Sequence, residues 1–178
     1  MPRPTGVNMS DEAEFRDYAG PRMATWRRTA FLLCRDWHLA DDLVATVMDK
    51  LYRQWHRRDQ IRSLDAYVGG MLARAVVDEH RRPWRRERLE DGGDPLELVV
   101  APAGLDSTVE RLTLDSYLAQ LGPRRRAVLV LRFYCDLSVE ETAEVLGVSI
   151  GTVKSQTARG LETLRALAAP PTPTVRQA

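Results

Sequence analysis

The chain has 178 residues, 44% of them apolar and 29% charged, with a formal net charge of +1. That is the balance of a soluble globular protein, sufficient for one large domain or two small ones, and the near-neutral total does not by itself point to a nucleic-acid partner. The opening "MPRPTGVNMS" lacks the apolar centre of a signal peptide and no apolar run reaches membrane-spanning length, so a cytoplasmic protein with no membrane partner is expected.

The first helical patterns are "DEAEFRDYAG" and "RMATWRRTAFLLC", separated by Gly20 and Pro21, which should break or kink the path. A third, "LADDLVATVMDKLYRQW", sets Leu43, Val47, Leu51 and Trp55 on one stripe, and its acidic start at Asp41 and Asp42 suits a helix dipole. A fourth begins at Ser63 and runs "LDAYVGGMLARAVVDEHRR", with Tyr67, Met71 and Ala75 on one face and Arg74 and Arg81 elsewhere. It leads into "RRPWRRER", Arg81 to Arg88, which is locally very basic. Residues 89–108 then contain no Lys or Arg but carry Glu90, Asp91, Asp94, Glu97 and Asp106 among Gly and Pro, the composition of a linker.

Beyond it come "VERLTLDSYLAQL" and "RRRAVLVLRFYC", the latter with Pro123 at a first-turn position. Two short helices follow. Ser138 and Glu141 form a capping box ahead of Ala143, Val145 and Leu146, and Gly147 supplies a left-handed end. Ser149 caps the second, whose Val153, Leu161 and Leu164 mark the buried side, leaving Lys154, Ser155, Ala158 and Arg159 outward. The same pattern suits a plain helical hairpin. The short turn, the small Gly151 and Thr152, and the cations that follow at once favour a helix-turn-helix with its second helix in a DNA major groove. No strand pattern interrupts the chain, so the fold class is all-α: two small helical domains, 10–88 and 109–169, joined by a flexible acidic linker 89–108 and followed by a disordered tail 170–178.

Cys34 and Cys135 sit in apolar surroundings and read as reduced core thiols. His38, His56 and His80 stand apart, with no Cys-x-x-Cys, His-x-x-x-His or Gly-rich phosphate loop. No metal, cofactor, small-molecule substrate or catalytic residue is therefore expected.

The order of "ADDLV", "VVDEHRR", an acidic linker and "LGPRRRAVLVLRFYCDLSVEETAEVLGVSIGTVKSQ" resembles the extracytoplasmic-function sigma factors of the sigma-70 superfamily, in particular the actinobacterial SigE-type group. The resemblance spans about Phe15 to Leu167 and is most specific from Leu121 to Gln156. It implies a subunit that binds core RNA polymerase and directs it to promoter DNA. Such proteins are commonly restrained by an anti-sigma factor, which nothing in these residues identifies. An autonomous helix-turn-helix regulator, normally a dimer on symmetric half-sites, is the alternative.

Carried over position by position, the resemblance implies that Lys154, Ser155 and Arg159 face the -35 groove, with Ser149 and Thr152 toward phosphates. Asp41, Asp42 and Ala45 would meet the polymerase clamp. The helix from Tyr67 to Arg82 would meet the opened -10 strand, with Tyr67 and Trp84 for stacking and Arg74, Arg81 and Arg82 for charge. Where relatives carry larger residues, this chain has Gly69 and Gly70, each costing about 1 kcal/mol in a helix interior.

Overall fold

A computed structural model describes residues 9–80 and 109–168. Arg81, Arg82, Trp84, the acidic segment 89–108 and the tail lie outside the described residues, within which every regular element is helical. The N-terminal half comprises α1 (Met9–Ala19), a 3-10 turn (Gly20–Arg22), α2 (Met23–Cys34), α3 (Trp37–Arg53), a second 3-10 turn (Trp55–Gln60) and α4 (Leu64–His80). The C-terminal half comprises α5 (Val109–Ala119), α6 (Pro123–Leu129) running into a π-helical turn (Val130–Tyr134), α7 (Val139–Leu146) and α8 (Ile150–Ala168).

Local chemistry explains most boundaries. Pro21 stands in the first turn after α1, where its missing amide is harmless, and turns the chain into α2. Arg35 takes a left-handed backbone, φ 61°, and ends α2. The Asp36 carboxylate then accepts the Leu39 amide at 3.0 Å. This cap starts α3 at Trp37, so Asp41 and Asp42 lie a full turn inside the helix rather than at its start. The dipole argument made for them fails, because the end charge decays within the first turn and Asp36 already occupies the cap.

The stripe of α3 packs inward as its spacing requires: Leu43, Val47 and Leu51 are buried, and Trp55 follows them from the 3-10 turn. Phe15 of α1 meets Tyr52 and Trp55 edge-on at 5.1 and 5.2 Å between ring centroids. Phe31 and Trp37 stack at 3.9 Å. Side chains of this size contribute about 1.5–3 kcal/mol each when fully buried. In α4 the deepest residues are Val68, Leu72 and Val76, with Ala75 beside them. Tyr67 and Met71 are only half-buried, so the expected face is turned by one position. The reason is that α4 is covered on a second side too, through Gly69, Gly70, Ala73 and Val77, and a helix buried on two sides has no single apolar stripe to read.

That second cover is the C-terminal half. Leu137, Val145 and Cys135 pack on α4, and the buried apolar residues of both halves merge into one cluster from Phe15 to Val153. Arg28 of α2 and Asp115 of α5 close an ion pair of 2.7 Å across the seam. Cys34 and Cys135 are both free thiols; Cys34 is buried and Cys135 half-buried.

Candidate nucleic-acid interface

The α7–α8 corner is built from its caps. The Ser138 hydroxyl accepts the Glu141 amide at 3.0 Å while the Glu141 carboxylate accepts the Ser138 amide at 2.7 Å. These bonds hold the Glu141 carboxyl below the ordinary Glu value of 4.5. At the other end Gly147 takes φ 65°, and the amides of Gly147 and Val148 return to Glu144 O and Ala143 O at 3.3 and 3.0 Å. This reciprocal pair, a Schellman motif, stops α7 after two turns and leaves three residues, 147–149, to turn the chain. Ser149 then accepts the Thr152 amide at 3.1 Å and starts α8.

The inner side of α8 carries Val153, wholly buried, and Gly160. A Cβ at Gly160 would stand 2.9 Å from Leu129 Cδ1, so α8 lies directly on α6. Leu161 and Leu164 pack at the margin of the same contact. Lys154, Ser155, Ala158 and Arg159 consequently share an exposed outer face. Neither Lys154 nor Arg159 forms an ion pair with a described residue, so both cations stay hydrated and available. The hydroxyls of Ser149 and Thr152 lie 2.9 Å apart in a mutual hydrogen bond, and Ser155 donates to Thr152 O at 3.0 Å. A phosphate at this helix start would share these donors.

On α3, Asp41, Asp42 and Ala45 lie together on the solvent side. Asp41 is engaged: Arg27 Nε and Nη2 donate to its two carboxylate oxygens at 2.5 and 3.0 Å, which lowers its pKa. Asp42 instead projects from the helix, and its backbone carbonyl accepts from the Thr46 hydroxyl at 2.9 Å.

On α4, the Tyr67 hydroxyl donates to Gln54 Oε1 at 2.9 Å, and Arg74 pairs with Glu144 of α7 at 3.2 Å. Both line a cleft of about 450 Å³ between the halves. Its N-terminal wall also includes Arg62, which the sequence reading passed over because it sits in a connector with no periodic signal. The opposite wall carries Asp136, Glu141 and Glu144. Elsewhere on the seam, Arg35 and Arg126 lie close enough for their charges to oppose one another. Both are buried, and Arg35 Nη1 and Arg126 Nε and Nη2 have no hydrogen-bond partner among the described residues. Burial, then the neighbouring Arg35, pushes the Arg126 guanidinium down to about 10.

Residues 111–164 match the family described as Sigma-70, region 4, and so contain the whole α7–α8 corner. Along most of its length the chain is similar to RNA polymerase sigma-E factors: 35% identical to that of Streptomyces coelicolor, over 88% of this chain and 87% of that one. The Streptomyces avermitilis protein of the same name is 36% identical over 85% and 83%. The ECF RNA polymerase sigma factor SigL of Mycobacterium tuberculosis is 27% identical over 93% and 94%. In fold, the chain is similar to the sigma factor RpoE of Bartonella quintana, solved in complex with the anti-sigma factor NepR, with a TM-score of 0.58 at 23% identity over 85% of this chain and 96% of that one. Matched over nearly its full length by sigma-E factors and carrying their region 4 on a helix-turn-helix, the chain belongs to the extracytoplasmic-function RNA polymerase sigma factors of the sigma-E type, which direct core RNA polymerase to promoters.

Proposed function

We propose that the work of this sigma factor is divided between its halves, with α8 reading the -35 element and α3 and α4 serving polymerase and the opened -10 strand. The observation that carries the reading is the outer face of α8, where Lys154, Ser155 and Arg159 project together from a helix whose opposite side is locked to α6 through Val153 and Gly160. A rigid helix start with hydrated cations suits major-groove contact, since Arg and Lys donate to guanine and to phosphates. Ser149 and Thr152 serve phosphates in this reading. Asp41, Asp42 and Ala45 form the polymerase-facing surface. Tyr67 and Arg74, with Arg81, Arg82 and Trp84 outside the described residues, take the melted strand.

In this division the protein contributes binding energy and no chemistry, because RNA synthesis belongs to the polymerase; the cytoplasm, where polymerase and promoters are, is its place of work. Among the described residues no helix is long and apolar enough to cross a membrane. An anti-sigma factor is a further partner that this reading admits.

Run-off transcription with bacterial core polymerase and a promoter library tests the assignment. Arg159→Ala should weaken promoter use and relax choice at one or two -35 positions, by about 1–3 kcal/mol per lost base contact. Lys154→Ala should weaken all promoters alike and reduce the salt slope by about one unit if it meets phosphate alone. Unchanged selectivity across -35 variants would refute the α8 assignment, and a footprint obtained without polymerase would favour an autonomous regulator.

A further inference from the structure

Among the described residues, Arg126 and Arg35 are the two buried charged side chains, 2% and 6% exposed. Arginines closer to solvent hold carboxylates: Arg27 has Asp41, Arg28 has Asp115, and Arg58 has Asp11 and Glu14. The two buried ones pair with no carboxylate among the described residues. Nη1 of Arg126 donates to Leu121 O at 3.2 Å, but its Nε and Nη2, and Nη1 of Arg35, have no acceptor among the described residues. A buried guanidinium without a counter-charge is costly, and a second one beside it adds repulsion.

The neighbouring groups do not supply that charge. Asp115 acts on Arg35 through its field, while its bond is to Arg28 at 2.7 Å. The Cys34 thiol lies near Arg126, but burial pushes it up to about 11, so it is neutral at neutral pH, and it donates to Asp36 O at 3.2 Å. Arg35 itself is held in place: its left-handed backbone ends α2, and its guanidinium lies 4.7 Å from the centre of the Phe31 ring.

The identity of the free atoms narrows the ligand. Nε and Nη2 are the two N–H groups on one edge of the guanidinium, and that edge grips two oxygens of one anion at once. Arg27 does this with Asp41, through the same two nitrogens at 2.5 and 3.0 Å. With Nη1 of Arg35, three donors stand on two cations. A tetrahedral oxyanion presents a third oxygen off the plane of the first two and carries up to two negative charges. Planar acetate offers two oxygens and one charge, and chloride a single point.

We propose that Arg35 and Arg126 form a binding site for one tetrahedral oxyanion, of the class of inorganic phosphate or sulfate, held between the end of α2 and α6. Nε and Nη2 of Arg126 grip two of its oxygens and Nη1 of Arg35 a third. The bound ion neutralises both guanidiniums and makes the stability of the chain depend on its concentration.

The test uses the full-length chain in a chloride buffer of constant ionic strength. Isothermal titration with inorganic phosphate should report one site per chain, for which sulfate competes and acetate does not. About 10 mM phosphate should raise the melting temperature by at least about 2 °C, the scale expected once ligand well exceeds its dissociation constant. Arg126→Lys keeps a cation but loses the fork; it should weaken phosphate binding at least about tenfold and abolish the thermal shift. Phosphate and sulfate also stabilise proteins by exclusion from their surface, so the thermal reading is the difference between wild type and variant at equal salt. Absence of saturable binding to wild type would overturn the proposal, whether or not the variant folds. An equal thermal shift in wild type and Arg126→Lys would overturn it too. So would loss of binding in Lys154→Ala with retention in Arg126→Lys, which would place the ion on α8.

Discussion

At Ser138 and Glu141 two side chains decide where the helix-turn-helix corner begins. Ser138→Ala removes the acceptor for the Glu141 amide and should destabilise the protein by about 1 kcal/mol in urea denaturation. Glu141→Gln keeps a hydrogen-bonding group but removes the charge. Because the folded pKa of Glu141 is depressed by the Ser138 amide, its charge-dependent stabilisation is present above the ordinary value of 4.5 and is lost as pH falls through the lowered folded value. The stability gap between wild type and Glu141→Gln should accordingly be seen at neutral pH and close in acid. A gap that persists at low pH would assign the effect to packing. The caps were legible in the sequence because a capping box and a left-handed glycine act within a few residues. Arg126 was not: nothing local distinguishes it from its neighbours Arg124 and Arg125, yet it is buried, with Cys34 and Arg35 from the end of α2 close by.

Among the elements, α3 shows how a correct helix can have a misplaced start. Its stripe of Leu43, Val47 and Leu51 follows from spacing alone, but Asp36 is the cap, and Asp41 and Asp42 belong to the exposed second turn. This changes which substitution tests polymerase contact. Asp41→Lys would also break the pair with Arg27, mixing a local effect with a binding one. Asp42→Lys avoids that pair and should reduce holoenzyme assembly in a pull-down while leaving the melting temperature within a few degrees, as surface substitutions usually shift stability by under about 0.5 kcal/mol. Equal assembly would remove Asp42 from the polymerase-facing surface. In α8 the buried side was read from Val153, Leu161 and Leu164, yet the helix also rests on Leu129 at Gly160, where the missing side chain gives no apolar signal.

For the whole molecule, the central fact is that two helical halves share one core and an electrostatically uneven seam. Arg28 pairs directly with Asp115 there, Arg35 lies within the field of both, and Arg126 is close enough to Arg35 for the two guanidinium charges to oppose one another. A double-mutant cycle on Arg28→Ala and Asp115→Ala should give a coupling of about 0.5–1.5 kcal/mol, above that of an exposed pair because both side chains are largely buried. Coupling near zero in the full chain would mean that the halves separate before either unfolds.

The sequence by itself determined the all-helical class, the existence of two helical units, the capped corner and the outward set of Lys154, Ser155 and Arg159, because periodicity, caps and glycine conformation act over a few residues. Its near-full-length similarity to sigma-E factors belongs to the same level. Only the tertiary structure decided how the halves meet: that α4 is covered on a second side, that Gly69 and Gly70 admit Cys135 and Val145, and that Arg35 and Arg126 are buried without full partners. Those contacts join residues more than fifty positions apart. Such pairings depend on shape, desolvation and the sum of all other packing, and leave no periodic trace along the chain.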